Sequence, residues 1–140
     1  MDIAQLAFAN ADDSLQLIEL LDAYSGHSNG SAEFHGQLMA QLKNCNNALA
    51  FIARDEQQPV GVVFGFVNVY LFRAKPYANV HFIYVRPEQQ GRGLARALMQ
   101  AFESRAAELG CCKVNLEVRQ GNERAKGLYR ALDYRQAVFG

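Results

Sequence analysis

The sequence predicts an α/β protein, a mixed central sheet with helices on both faces. Three observations carry that expectation. Two apolar runs, 48–53 and 60–72, flank a polar turn and read as a hairpin. A third run, Val80-His81-Phe82-Ile83-Tyr84-Val85, meets the breaker Arg86-Pro87-Glu88 and then Gln90-Gly91-Arg92-Gly93-Leu94-Ala95. From Leu94 to Leu109 apolar residues recur at helical spacing, and the alternating run 113–118 follows. Strand, glycine turn, helix and strand in that order make a right-handed crossover between parallel strands.

Each element has its own signature. Ile3 to Ala9 alternates around Leu6 and Phe8 and reads as a first strand. Asp12, Asp13 and Ser14 are capping types ahead of a helix that carries Leu15, Leu17, Ile18, Leu20, Leu21 and Tyr24. Residues 25–31, with two glycines, form a loop. A second helix from Ala32 uses Phe34, Leu38, Met39 and Leu42. The hairpin strands come next, then a strand over 77–85. The helix 94–109 sets Leu94, Ala97, Leu98, Ala101, Phe102, Ala106 and Leu109 on one stripe, with Arg105 interrupting it. A strand over 113–118 leads to Asn122, which can cap a last helix bearing Ala125, Leu128, Tyr129 and Leu132. Tyr134 to Phe139 reads as a final strand.

Composition narrows the function. The 140 residues are half hydrophobic and suit a single domain, 1–140, with a proper core. Fourteen basic residues cancel fourteen acidic ones, so no positive field favours nucleic acid. The start, Met1-Asp2-Ile3, is not that of a signal peptide, and no apolar run is long enough for a membrane helix. Cys45, Cys111 and Cys112 suit neither a disulfide framework nor a zinc site. A cytoplasmic, reduced protein with neither metal nor membrane attachment is expected.

The glycine turn carries the chemistry. Glycines remove the side chains that would hold a phosphate off the backbone, and a helix N-terminus offers unpaired N–H groups and a positive dipole end. Two nucleotide-binding motifs fail on spacing. A P-loop needs Lys-Ser or Lys-Thr after its last glycine, where Leu94-Ala95 stands. A dinucleotide fold needs Gly or Ala where Arg96 stands.

Gln90-x-x-Gly93-x-Ala95 resembles the acyl-CoA signature of the GNAT superfamily, the GCN5-related N-acetyltransferases. Val85-Arg86-Pro87-Glu88 precedes it and Leu94-Ala95-Arg96-Ala97-Leu98-Met99 continues it as in many members. Gly110 to Val118, and Asn122-x-x-Ala125-x-x-x-Tyr129 after it, resemble the family's next strand and helix. The close resemblance covers 77–134. It implies a GNAT fold, acetyl-CoA as co-substrate, no metal, and direct transfer of acetyl to a primary amine of a small molecule or peptide.

The resemblance also implies roles. Backbone N–H groups of Gly91, Arg92, Gly93, Leu94 and Ala95, with Gln90 opening the motif, hold the pyrophosphate, and Arg92 is either a phosphate contact or a solvated arginine. Ile83, Tyr84 and Val85 pair with the pantetheine amides as a missing strand would. Asn122 is a helix cap that also touches pantetheine or a water. Tyr129 is the candidate general acid for the departing thiolate, since a phenol with pKa near ~10 is protonated at pH 7. Relatives often carry an acidic base on the strand before the motif, and here His81 is the candidate instead. Glu117, the other carboxylate near the cleft, reads as structural. His27 and His35 read as solvated.

The chain departs from the family after its last helix, where only Arg135 to Gly140 remain. Either the sheet is a strand short or a partner completes it, so a homodimer is an expectation. The segment 73–77 and the loop 24–36 are expected to shape the acceptor pocket. The rival reading is a catalytically silent acyl-CoA sensor or interaction module.

Overall fold

The computed structural model describes residues 1–25, 32–117 and 123–132, with the backbone alone at 123–126. Nine elements follow in order: β1 (Asp2–Gln5), α1 (Ala11–Ser25), α2 (Ala32–Asn44), β2 (Ala48–Asp55), β3 (Gln58–Tyr70), β4 (Lys75–Val85), α3 (Leu94–Glu108), β5 (Val114–Leu116) and α4 (Glu123–Ala131). The five strands lie side by side in chain order; all neighbours are antiparallel except β4 and β5, which are parallel across α3. The expected mixed sheet is present.

Its two faces bury separate cores. Leu98, Met99, Phe102 and Ala106 of α3 pack with Leu49, Val63 and Val80 on one face. Leu17 and Leu20 of α1 and Leu42 of α2 pack with Ala50, Ile52 and Val62 on the other. Phe102, Leu98 and Val62 have no solvent exposure at all. At ~1.5–3 kcal/mol for each large apolar side chain fully buried, these two layers are the main source of stability.

Several boundaries differ from the sequence reading. The first strand stops at Gln5, because the Asp13 carboxylate takes the Ala7 N–H at 2.8 Å and turns the chain. Phe8 leaves the strand and meets Phe64 edge-to-face. Asn10, rather than Asp12 or Asp13, caps α1, its Oδ1 accepting the Asp12 N–H at 2.9 Å. Strand β3 ends at Tyr70, and Leu71–Arg73 form a 3-10 turn closed by Ala74 at φ 52°. Arg105 donates to Glu108 through its tip while its Nε is buried with no partner. Cys111 and Cys112 are half-buried. The expected final strand, 134–139, lies outside the described residues, as does His27.

One irregularity positions everything that follows. Phe64 pairs with Phe82, whereas Gly65 pairs with Val80, so His81 is the extra residue of a β-bulge in β4. Side-chain alternation records it: Ala78 and Val80 face the α3 core, and after the skip so do Ile83 and Val85. Gly65 sits opposite. A Cβ there would run into the Asn79 carbonyl oxygen and come within 2.9 Å of the Phe102 ring. The bulge needs that glycine.

Candidate functional site

Among the described residues the pairing of β4 with β5 reaches as far as the bulge. Their register covers Ala78 to Val80, and the last bond across is from the Glu117 N–H to the Val80 carbonyl at 2.9 Å. Past Val80, the described partner of β4 is β3. The Arg86 N–H donates to the Val60 carbonyl at 2.9 Å, which makes Arg86 and Val60 a hydrogen-bonded pair. Antiparallel alternation then aims the backbone of Tyr84 and Phe82 at β3, and that of Ile83 and Val85 into the gap. Of the three residues expected to pair with pantetheine, Ile83 and Val85 offer outward backbone. Tyr84 does not, since its backbone faces Val62, though the residue lines the cleft.

The glycine turn closes the far end of β4. The Arg86 guanidinium holds it, donating to the Pro59 carbonyl at 2.9 Å and to Glu19 at 2.8 Å. Gln90 Nε2 donates back to the Val85 carbonyl at 3.0 Å, so its side chain shapes the turn. Gly91 and Gly93 have φ of 81° and 78°, and no atom lies within 4 Å of where a Cβ would stand at either. Gly93 begins α3 with no side-chain cap and no acidic residue in the first turn. Unpaired N–H groups in open space, without a competing carboxylate, fit a pyrophosphate. Arg92 instead reaches Gln89 at 3.2 Å and stands outside the cleft lining. Arg96 does line it, and ties α3 to the Ala131 carbonyl at 2.8 Å.

One cavity of about 1280 Å³ runs from this turn, through the gap, to the face covered by α1 and α2. It gathers His81, Ile83, Tyr84, Val85, Gln90, Gly91, Gly93, Leu94, Ala95 and Tyr129 from the sequence-derived set. Asn122 lies outside the described residues. Residues 73–77 do not line the cavity among the described residues; they join β3 to β4, with Arg73, Ala74 and Lys75 exposed, which corrects their expected part in the pocket.

Near the middle sits an arrangement that sequence reasoning missed. His81 Nδ1 lies 2.7 Å from Glu117 Oε2, and the Asn79 amide donates to Glu117 Oε1 at 2.6 Å. Glu117 was expected to be structural; it is the partner of the candidate base. The hydrogen bond from His81 is the main cause that holds its carboxyl below the usual range, with partial burial opposing and Asn79 adding. An ionised carboxylate only accepts, so Nδ1 carries the proton and Nε2 is left as the basic nitrogen of neutral His81. The signal was faint: Asn79 and His81 are near neighbours on one strand, but nothing short of the β4–β5 register brings Glu117 beside them.

Tyr129 on α4 is 6% exposed. Burial pushes its phenol up, and the nearby Tyr24 and Glu117 push in the same direction. Its phenol therefore keeps its proton at neutral pH. Among the described residues no helix is long and apolar enough to cross a membrane, and no group of three His, Cys, Asp or Glu side chains could hold a metal.

Known proteins share this arrangement of elements. An aminoglycoside acetyltransferase from an uncultured soil metagenomic sample, solved with sisomicin, superimposes with a TM-score of 0.84 at 25% identity, over 99% of this chain and 92% of that one. A ribosomal-protein-alanine N-acetyltransferase from Brucella melitensis biovar Abortus shares the fold at 24% identity and TM-score 0.77, over 99% and 98% of the two chains. An aminoglycoside N-acetyltransferase bound to CoA shares it at 19% identity and TM-score 0.76, over 99% and 92%. In sequence, an acetyltransferase of Yersinia pestis is 38% identical over 56 residues, a match spanning 40% of each protein's length. The family model described as acetyltransferase (GNAT) matches residues 15–134, which takes in every residue lining the cleft, and the chain belongs to that family.

Proposed function

We propose that this protein is an N-acetyltransferase that moves acetyl from acetyl-CoA to a primary amine of a small molecule. The observation that carries the reading is the convergence of a base pair, His81–Glu117, and a protonated phenol, Tyr129, on one cleft that begins at an anion cradle. Likeness to the sisomicin-bound enzyme supports a small-molecule amine as acceptor.

Acetyl-CoA supplies the acetyl group as an activated thioester. The N–H groups at the start of α3 would hold its pyrophosphate, and the outward backbone of Ile83 and Val85 would align its pantetheine arm as an added strand. The Val85 N–H would polarise the acetyl carbonyl. His81 Nε2 would take a proton from the incoming ammonium, while Glu117 fixes the ring's tautomer and balances its new charge. Tyr129 would give its proton to the departing sulfur. The freed amine would form the C–N bond as the C–S bond breaks, the amide nitrogen would pass its second proton to the Tyr129 phenolate, and His81 would release its proton to solvent.

The test is thiol release dependent on acetyl-CoA over a panel of amines, amino acids and short peptides, with calorimetric binding of acetyl-CoA beside it. Release with one amine class supports the reading. Tight binding with no release from any acceptor would favour the acyl-CoA sensor.

A further inference from the structure

From the acceptor half of the cleft we infer that the amine is carried on an apolar, preferably aromatic, group and bears a single positive charge. The inference rests on the transfer reading above and narrows its substrate class. Phe64 and Phe66 of β3, Phe82 and Tyr84 of β4 and Tyr24 of α1 line that half. They pack on one another edge-to-face: Tyr24 lies 5.2 Å from Phe82 and 5.7 Å from Tyr84, and Phe64 lies 5.1 Å from Phe66. Leu17, Leu21 and Leu38 extend the apolar wall. The His81 ring sits 5.9 Å from Phe66, so the base and the aromatic wall share one space.

Charge is scarce there. Glu117 is the sole carboxylate among the described lining residues, and it already accepts from His81 and Asn79. Asp22 and Glu19, the nearest acids of α1, stand outside the lining, beside His35 and Arg86 respectively. The parts of the chain whose side chains are not described contain only two further acids, Glu123 and Asp133. A polyamine or aminoglycoside brings several ammonium groups into the site, and each one desolvated without a carboxylate is costly. One ammonium is well served. It meets a single carboxylate and aromatic faces that attract cations, while its apolar body covers ring surface.

The test compares phenethylamine, hexylamine, spermidine and an aminoglycoside, with thiol release read beside calorimetric binding of each amine to the CoA-loaded protein. Phenethylamine should bind more tightly and show kcat/KM at least ~10-fold above spermidine and the aminoglycoside, a difference of about 1.4 kcal/mol. Tighter binding or faster turnover of either polycation overturns the inference, as does no binding of phenethylamine. Binding of phenethylamine without release upholds the acceptor class and overturns the transfer reading, so the two fail separately. Tyr24→Ala, at a side chain already 54% exposed, should raise KM for phenethylamine at least ~5-fold more than KM for methylamine, since methylamine has no body to lay on the ring. An equal effect on both amines would mean that Tyr24 serves the fold alone.

Discussion

In the proposed mechanism Tyr129 would give a proton and His81, backed by Glu117, would take one, and the surroundings of Tyr129 and Glu117 differ sharply. Tyr129 is enclosed, and burial reinforced by Tyr24 and Glu117 keeps its proton in place at neutral pH. Removing that proton while preserving the ring, by Tyr129→Phe, should lower kcat by roughly 10²-fold and leave acetyl-CoA affinity within about twofold. Steady-state kinetics with calorimetry separates the two; an unchanged kcat would remove Tyr129 from the mechanism. Glu117 sits at the opposite extreme. It is half exposed, and its carboxyl is lowered chiefly because His81 donates to it. A carboxylate lowered in the folded state contributes its full stability above the ordinary value near ~4.3 and loses it as pH falls through the lowered one. The stability gap between the native protein and Glu117→Gln, read from urea melts, should therefore narrow below about pH 4. Solvent screening keeps that gap small. A gap that widens on acidification would mean the pair does not exist in solution.

At the scale of elements, the bulge in β4 is the feature on which the site depends, and Gly65 is what admits it. Gly65→Ala sets a methyl against the Asn79 carbonyl and the Phe102 ring, so backbone or helix must shift. The expected cost is about 1–3 kcal/mol, as for other overpacked cores. In a chain of this size that lowers Tm by roughly 4–12 °C, measurable by calorimetry. Normal stability would mean that β4 can relax without loss. The same element shows how far sequence reaches. The run 80–85 reads as a plain strand, because nothing in Val80-His81-Phe82-Ile83 marks an inserted residue: no glycine, no proline, no polar break. The trace was on the partner strand, where glycine interrupts Val63-Phe64 and Phe66-Val67. By contrast the turn at Gly91 and Gly93 was plain, since positive φ and open approach are what glycine is selected for. The hairpin turn between β2 and β3 was legible as a turn but not in its geometry: Glu56 and Gln57 take φ of 49° and 70°, a conformation glycine or asparagine would have advertised.

For the whole molecule, the sheet works as a partition with one breach. One face carries α3 and its N-terminal cradle, the other carries α1, α2 and the aromatic wall, and the parting of β4 from β5 is where the two meet. Local patterns in the sequence were enough for the layers, because each helix shows its stripe within a few turns. The aromatic wall was not legible, since it draws on α1, α2, β3 and β4 and exists only after they assemble. If the breach is the cofactor's seat, backbone amides at its edge should report it. Ile83 and Val85 face the gap, while Phe82 and Tyr84 pair with β3. Without ligand the first two should exchange their amide hydrogens faster than the second two. Acetyl-CoA at ~100-fold its Kd stabilises the fold as a whole by about 2.7 kcal/mol, which slows every globally exchanging amide. A ligand paired as a strand adds direct protection, so Ile83 and Val85 should slow by more than Phe82 and Tyr84 do. Uniform slowing of all four, with Tm raised, would mean that acetyl-CoA binds but does not occupy the gap in the sheet.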